Sequence, residues 1–293
     1  MPKQFAPWVG HVYIIVFPGQ KPCWLEPNER VTLVSHAVLA REAARVSGLD
    51  VRLPQFNSNA IRALAAYVPG LRERFLVMDN DIVFANTVSI DDFFKPDGGP
   101  VLMLDGATTP AELDPKLRYS PYSQALFHTN GMLNAHYGTH ELERHVLRHA
   151  PYATVKSSYL QMHREFHAQV QQTLQHPFRA PTDVDSQFLY AVYLQMTAPA
   201  RVGHPVHTVS WTFWSFSWAK AFYVSLREYA PAVSHFPRLS THWQFLRARI
   251  IRPSIICVND DLPSYPSPEA LRMLSDFFEP LLPVKSRVEK PCR

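Results

Sequence analysis

The segment Arg74-Phe-Leu-Val-Met-Asp-Asn-Asp-Ile-Val-Phe84 sets the tightest limit on the fold. Two apolar runs flank three polar residues, Asp79, Asn80 and Asp81, and each run has the length and content of a buried strand. Carboxylates at such a place are costly unless they are paired, solvated or bound to a cation. Either the chain makes a polar turn there between two strands, or a strand end opens onto a ligand crevice, as carboxyl ends of strands do in α/β sheets. The pattern alone admits both. Asn259-Asp-Asp261 repeats the design after the apolar run Ile255-Ile-Cys-Val258, again with a turn reading beside the functional one because Leu-Pro follows.

The rest of the chain alternates strands with helices. His11–Phe17 reads as a strand stopped by Pro18-Gly19, and Val31–Val34 and Val101–Leu104 as further strands. Ala37–Val46, Asn59–Tyr67, Leu126–Tyr137, Tyr159–Leu174, Asp185–Met196 and Glu269–Phe278 read as helices. This order predicts an α/β protein with a mixed, mainly parallel sheet flanked by helices. A chain of 293 residues suits one large α/β domain or about two smaller ones. With 46% hydrophobic and 18% charged residues a large core is available and global disorder is excluded. The 26 prolines against 10 glycines point to rigid, irregular connections. Residues 199–253, rich in Trp and Pro, read as an irregular subdomain. Within them Trp211, Trp214 and Trp218 share one helical face, so Trp211–Leu226 reads as a buried helix. That run carries Lys220 and falls short of the ~20 apolar residues that span a bilayer.

Charge narrows the partners. The formal net charge is +4, and the basic residues are scattered, which argues against nucleic acid and leaves room for a small anionic substrate. The 14 histidines raise the charge under mildly acidic conditions. Cys23, Cys257 and Cys292 form no CxxC pair, so a Cys-rich zinc site is not expected; one disulfide is allowed without being indicated. The first residues lack a basic-then-apolar leader pattern, and no internal repeat is visible.

Four further places can carry chemistry. Asp79 and Asp81, one residue apart, can both reach a Mg²⁺ or Mn²⁺ that bridges a nucleotide diphosphate. His136 and His140, like His145 and His149, stand four apart, but neither pair encloses Glu in an HExxH pattern, and surface histidines are the simpler reading. Ala150-Pro151 follows His149 and places it near a helix end, where it can act as a general base. Arg179 suits bidentate phosphate contacts, with a surface pair to Asp183 as the plain alternative. Thr182 or Asp183 would cap the helix that follows. Asn57-Ser58-Asn59 either caps a helix or holds an anion at its start. The chain has no G-x-S-x-G, Walker loop or G-x-G-x-x-G.

In order, these pieces resemble the Stealth family of sugar-phosphate transferases. That family includes bacterial capsular polysaccharide phosphotransferases and the animal N-acetylglucosamine-1-phosphotransferase that marks lysosomal enzymes. Its second conserved region is similar to Ala6-Pro-Trp8, Gly19–Pro22, Trp24-Leu25, Leu53–Ile61, Pro69-Gly-Leu71, Phe75–Phe84 and Val88–Phe94. The third resembles His149-Ala-Pro151, Phe178-Arg179 and Asp183, and the fourth Ile256–Asp260 with Leu282–Lys290.

The resemblance implies a Rossmann-like, glycosyltransferase-type core. It implies transfer of a sugar-1-phosphate from a nucleotide-sugar donor to a glycan hydroxyl, with Mg²⁺ or Mn²⁺ as cofactor. Asp81, His149 and Arg179 would be catalytic, as active-site carboxylate, base and phosphate ligand. Asn57, Ser58, Asn59, Asp79, Asn80, Asp183 and Asn259 would bind substrate, and Asp260 with Asp81 the metal. Bacterial relatives work at the cytoplasmic side of the membrane and animal ones in the Golgi lumen. Two departures stand out. The family's Asn-Asp-Asp is here Asp79-Asn80-Asp81. Its first conserved region and the start of the second are missing, so residues 1–293 read as a single catalytic domain shortened at its N-terminus. The departures keep two alternatives open: a metal-dependent nucleotide-sugar glycosyltransferase using Asp79 and Asp81, and an inactive remnant of the fold.

Overall fold

The computed structural model describes residues 2–26, 28–109, 119–139, 142–203, 221–227, 245–246, 248–250, 253–261, 268–283 and 289–290. His140, Cys292 and residues 204–220 of the Trp/Pro-rich stretch lie outside them, as do the side chains of Asn259 and Asp260.

The elements follow one another as α1 (Pro2–Phe5), β1 (Val12–Val16), β2 (Val31–Ser35), α2 (His36–Ser47), α3 (Ser58–Ala63, continued by a 3₁₀ turn), β3 (Arg74–Val77) and β4 (Ile82–Phe84). Then come β5 (Leu104–Thr108), α4 (Pro121–Tyr137), β6 (His145–Leu147), β7 (Tyr152–Val155), α5 (Lys156–Glu165), α6 (His167–Leu174), α7 (Ser186–Thr197), β8 (Ala221–Arg227), β9 (Ile255–Asp261) and α8 (Pro268–Leu281). The architecture is mixed α/β, as the alternation predicts. The expected mainly parallel sheet is not what the described strands build. They divide into four small sheets: parallel β1–β2, antiparallel β3–β7, antiparallel β5–β6, and β4–β9–β8 with both senses. The cause is the Asp79–Ile82 turn, which passes the chain from one sheet to another. β3 pairs with β7 and β4 with β9, so the two apolar runs around the acidic triplet are not partners.

Several local expectations are corrected by tertiary pairing. Residues 221–226 of the expected buried helix form part of β8, which pairs in parallel with β9 from Ala221↔Ile255 to Arg227↔Asp261. Its Phe, Tyr and Val content suits a strand once a partner edge is present. Tyr159–Leu174 is two helices, broken at the buried Phe166, whose φ −106° and ψ 33° leave the helical region. The strand expected at Val101–Leu104 begins only at Leu104, because Val101 makes a lone parallel bridge to Gly203. Gly99 permits this close packing: a Cβ there would lie 1.8 Å from the Arg201 carbonyl oxygen. Cys23 is disulfide-bonded, which the cysteine spacing did not indicate, and Cys257 is a buried free thiol.

The largest core packs α2, α3, α5, α6 and α7 around Leu39, Leu64, Tyr159, Met162, Phe188 and Leu189. A second cluster, with Ile82, Phe93, Ala153, Val155 and Cys257, lies under β4, β7 and β9 and anchors the acidic turn from below. No helix among the described residues is long and apolar enough to cross a membrane.

The main core also holds a proton-sensitive group. His163 is 0% exposed, and its Nδ1 lies 2.9 Å from the Tyr67 hydroxyl. That hydroxyl donates to Ser47 Oγ at 3.0 Å, so the ring donates Nδ1–H to the Tyr67 oxygen and Nε2 is left bare. Burial drives the His163 pKa down from 6.5 to about 3. The neutral ring is compatible with the core and the imidazolium is not. Stability is therefore whole above pH 6.5, where folded and unfolded rings are both neutral. It falls as pH drops from 6.5 toward 3, where only the unfolded ring takes a proton, at up to about 1.4 kcal/mol per pH unit. Urea denaturation at stepped pH should show this slope in the wild type and a flatter one in His163→Gln.

Candidate functional site

Arg62 organises the site. It sits on the last turn of α3 and is only 14% exposed at its side chain. Its Nε donates to Asp79 Oδ1 at 3.0 Å, and its Nη2 donates to Asp79 Oδ2. Nη1 lies 3.9 Å from Asp185 Oδ2. Burial works against the Arg62 charge, but the two carboxylates more than offset it and hold its pKa above the ordinary value. One guanidinium thus ties α3, the β3–β4 turn and the start of α7 together. Tyr122 on α4 and Tyr152 at the start of β7 feel the same charges; burial first, then the nearby carboxylates of Asp79 and Asp185, raise both phenol pKa values. Both hydroxyls therefore stay protonated.

The segment Asn57–Asn59 forms the N-terminal side of this cluster. Asn57 is the helix cap, its side chain accepting from Asn59 N at 3.0 Å. Its Nδ2 donates to Asp183 Oδ2 at 2.7 Å, and Asn59 Nδ2 reaches the same oxygen at 3.4 Å. Asp183 is 0% exposed; it also accepts from Ala180 N at 2.9 Å, and its Oδ1 lies 2.8 Å from His176 Nδ1. This carboxylate is a buried hub joining two chain segments. Both of its oxygens are engaged by protein groups. It does not cap the next helix: Asp185 does, with Oδ1 accepting from Gln187 N and Phe188 N. Arg179 is exposed, and its Nε donates to Ser58 Oγ at 2.7 Å. It pairs with Ser58 rather than with Asp183.

His149 does not stand at a helix end. It lies in the bend between β6 and β7, where Ala150-Pro151 leads into a strand. The β3–β7 register, ending at Val77↔Tyr152, brings this bend to the carboxyl end of β3, where Asp79 follows. The His149 ring is 6.3 Å from that of Tyr122. His145 is on β6, with Nδ1 3.0 Å from the Asp105 carbonyl oxygen, and His136 is an exposed partner of Glu165. Neither belongs to the cluster.

Asp81 is the third component. Asp79–Ile82 is a turn, with Ile82 N donating to Asp79 O at 3.3 Å, so the turn reading of the triplet holds for the backbone. The side chains separate. Asn80 is exposed, Asp79 is taken by Arg62, and Asp81 turns toward β9. Cys257 Sγ donates to Asp81 Oδ2 at 3.4 Å, and burial, then Asp81, raises the thiol pKa so that it stays protonated. Asp81 Oδ1 is buried and has no hydrogen-bond partner among the described residues. Val258 N donates to the Asp81 carbonyl at 2.8 Å. Asn259-Asp260 continue β9 past its pairing with β4 and stay paired with β8, at Ser225↔Asn259 and Leu226↔Asp260, so their backbone lies at the end of the sheet where the acidic turn enters it.

A divalent cation fits one of these carboxylates and not the other. Asp81 has an oxygen without a donor, which suits a cation. Asp79 has both oxygens engaged by a guanidinium. Among the described residues no group of three or more His, Cys, Asp or Glu is placed to hold a metal ion.

Arg62, Asp185, Tyr122 and Tyr152 escape the sequence reading. A faint signal exists for Arg62, which follows Asn59 by three residues on one helix face. Nothing local marks the tyrosines, whose neighbours come from other elements.

In this mixed α/β fold the acidic turn, α3 and the start of α7 meet at one buried guanidinium. Two family models match the chain: Stealth protein CR2, conserved region 2, matches residues 2–102, and Stealth protein CR3, conserved region 3, matches residues 148–195. The chain belongs to the Stealth family. It is 32% identical to an exopolysaccharide phosphotransferase of Streptomyces coelicolor over 68% of this chain and 32% of that protein. It is 26% identical to the exopolysaccharide phosphotransferase CpsY of Mycobacterium tuberculosis over 98% of this chain and 48% of that one. A capsular polysaccharide phosphotransferase of Actinobacillus suis is 31% identical over 46% of this chain and 35% of its own. The chain thus spans less than half the length of these relatives.

Proposed function

We propose that this chain transfers a sugar-1-phosphate from a nucleotide-sugar to a sugar hydroxyl during polysaccharide synthesis. The observation that carries the reading is the convergence at Arg62, which fixes the acidic turn beside the β6–β7 bend and beside the segment bearing Arg179. In this reading the acceptor oxygen bonds to the donor's β-phosphorus. The bond from that phosphorus to the bridging oxygen breaks, a nucleoside monophosphate leaves, and His149 takes the acceptor proton. Arg179 neutralises phosphate oxygens as charge redistributes. A divalent cation, held by Asp81 with Asp260, supplies further neutralisation when bound. The parallel β1–β2 pair and the β4–β9–β8 sheet then belong to a glycosyltransferase-type nucleotide-binding core. The alternative glycosyltransferase needs Asp79 as a metal ligand, and both Asp79 oxygens are held by Arg62.

The test is product analysis with a panel of nucleotide-sugars, glycan acceptors and Mg²⁺. Release of nucleoside monophosphate, lost on chelation, is expected; nucleoside diphosphate would identify the glycosyltransferase instead, and no turnover with any donor the inactive remnant. His149→Ala should lower kcat by roughly 10²–10⁴-fold, the ordinary contribution of a positioned base. Unchanged turnover would remove His149 from the chemistry.

A further inference from the structure

Three phenylalanines stack at the surface beside Arg179. Phe17 follows β1, Phe56 precedes the Asn57 cap, and Phe178 precedes Arg179. The Phe17 and Phe56 rings are 5.5 Å apart at 15°, and the Phe56 and Phe178 rings 5.3 Å apart at 13°. Their exposures are 36%, 53% and 66% in that order. Exposed apolar residues scattered singly are ordinary; three contiguous, nearly parallel rings reaching outward are not. The exposure rises along the stack, which shows its direction. Phe178 covers Phe56 with one face, and at 66% exposed its other face is open to solvent.

The stack is held rigidly. Phe56 N donates to the Pro177 carbonyl at 2.8 Å, and the Asn57 side-chain Nδ2 donates to the His176 carbonyl at 3.3 Å, so one backbone bond and one side-chain bond tie the segments bearing Phe56 and Phe178. Such fixing lowers the entropic cost of binding something flat. The same two segments bring Ser58 and Arg179 together. An open aromatic face and an exposed guanidinium thus belong to adjacent residues on one anchored loop. A ligand that uses both has a planar ring joined to an anionic group.

We propose that the outer face of Phe178 stacks with the nucleobase of the donor nucleotide while Arg179 engages its phosphates. This rests on the nucleotide-sugar reading above and assigns the base-binding end of that site. Every base has a π face, so the stack sets the base's position and leaves base selection to other groups.

Binding of UDP, GDP, CDP and ADP, and of inorganic pyrophosphate as the base-free probe, is measured by calorimetry on the intact chain. Phe178→Ala should weaken the nucleoside diphosphate that the wild type binds by roughly 5- to 150-fold, the range of base–aromatic stacking. Phe178→Trp should restore it, and pyrophosphate affinity should not change in either variant. Arg179→Ala should weaken both kinds of probe. Unchanged nucleoside diphosphate affinity in Phe178→Ala, with Arg179→Ala still impaired, overturns the stacking and leaves the donor reading intact. Wild-type protein that binds none of the nucleotides overturns both. A rise confined to the acceptor KM in Phe178→Ala assigns the ring to the glycan and overturns the base assignment.

Discussion

Asp183→Ala is expected to destabilise the protein by about 3–5 kcal/mol, read as a fall in the urea midpoint at unchanged slope. The carboxylate is fully buried and takes hydrogen bonds from Asn57, Asn59 and Ala180 N, with His176 on its other oxygen. Removing it strands several donors where water does not reach. An orphaned buried donor costs about 1–3 kcal/mol, and the losses are partly shared because Asn57 keeps the His176 carbonyl. Asp183→Asn retains one accepting oxygen and turns an amide toward donors on the other side, so an intermediate loss is expected. A substrate-binding carboxylate behaves differently: both substitutions would raise a substrate KM with little change in midpoint. Wild-type stability in Asp183→Ala would return this residue to the ligand side of the site.

This residue illustrates which features are legible in the sequence. The pattern around Asp183 marks a chemically important place, because an acidic residue follows Phe178-Arg179 and precedes an apolar helix. Its orientation is only partly encoded locally: His176 and Ala180 are close in sequence, but Asn57 and Asn59 lie 126 and 124 positions earlier. The β3–turn–β4 segment is legible because polarity switches sharply across three residues. Its separation into two sheets is not, because strand partners are chosen by distant edges, β7 for one and β9 for the other. His149 is found by the proline that follows it, yet that proline ends a bend and not a helix. β8 is missed because an aromatic, β-branched run suits a buried helix or a strand equally until a partner is known. The Phe178 stack has no sequence signature at all, since its three rings come from three separate segments.

Arg62→Ala is expected to be the most damaging substitution near the acidic turn, and the geometry orders the variants around it. It removes the cation between Asp79 and Asp185, leaving two partly buried carboxylates facing the same vacated space. Breaking one side of a buried pair costs about 3–5 kcal/mol. Asp79→Asn should cost less, because Arg62 keeps Asp185 at 3.9 Å and an amide oxygen can still accept from the guanidinium. That substitution also places Asn where the family has it, so it tests whether the exchanged order in this chain is compensated by Arg62. If it is, the double variant Arg62→Ala with Asp79→Asn should lose less stability than the sum of the two single losses, by roughly 0.5–3 kcal/mol of coupling. Strict additivity would mean that the pair seen between Arg62 and Asp79 does not act as a unit. Turnover adds an independent reading. Arg62 touches no reacting group in the proposed chemistry, so its loss should act by freeing the turn that carries Asp81. Activity should then fall while affinity for inorganic pyrophosphate, proposed to depend on Arg179, changes little. A loss of pyrophosphate affinity equal to that of Arg179→Ala would instead place Arg62 among the phosphate ligands.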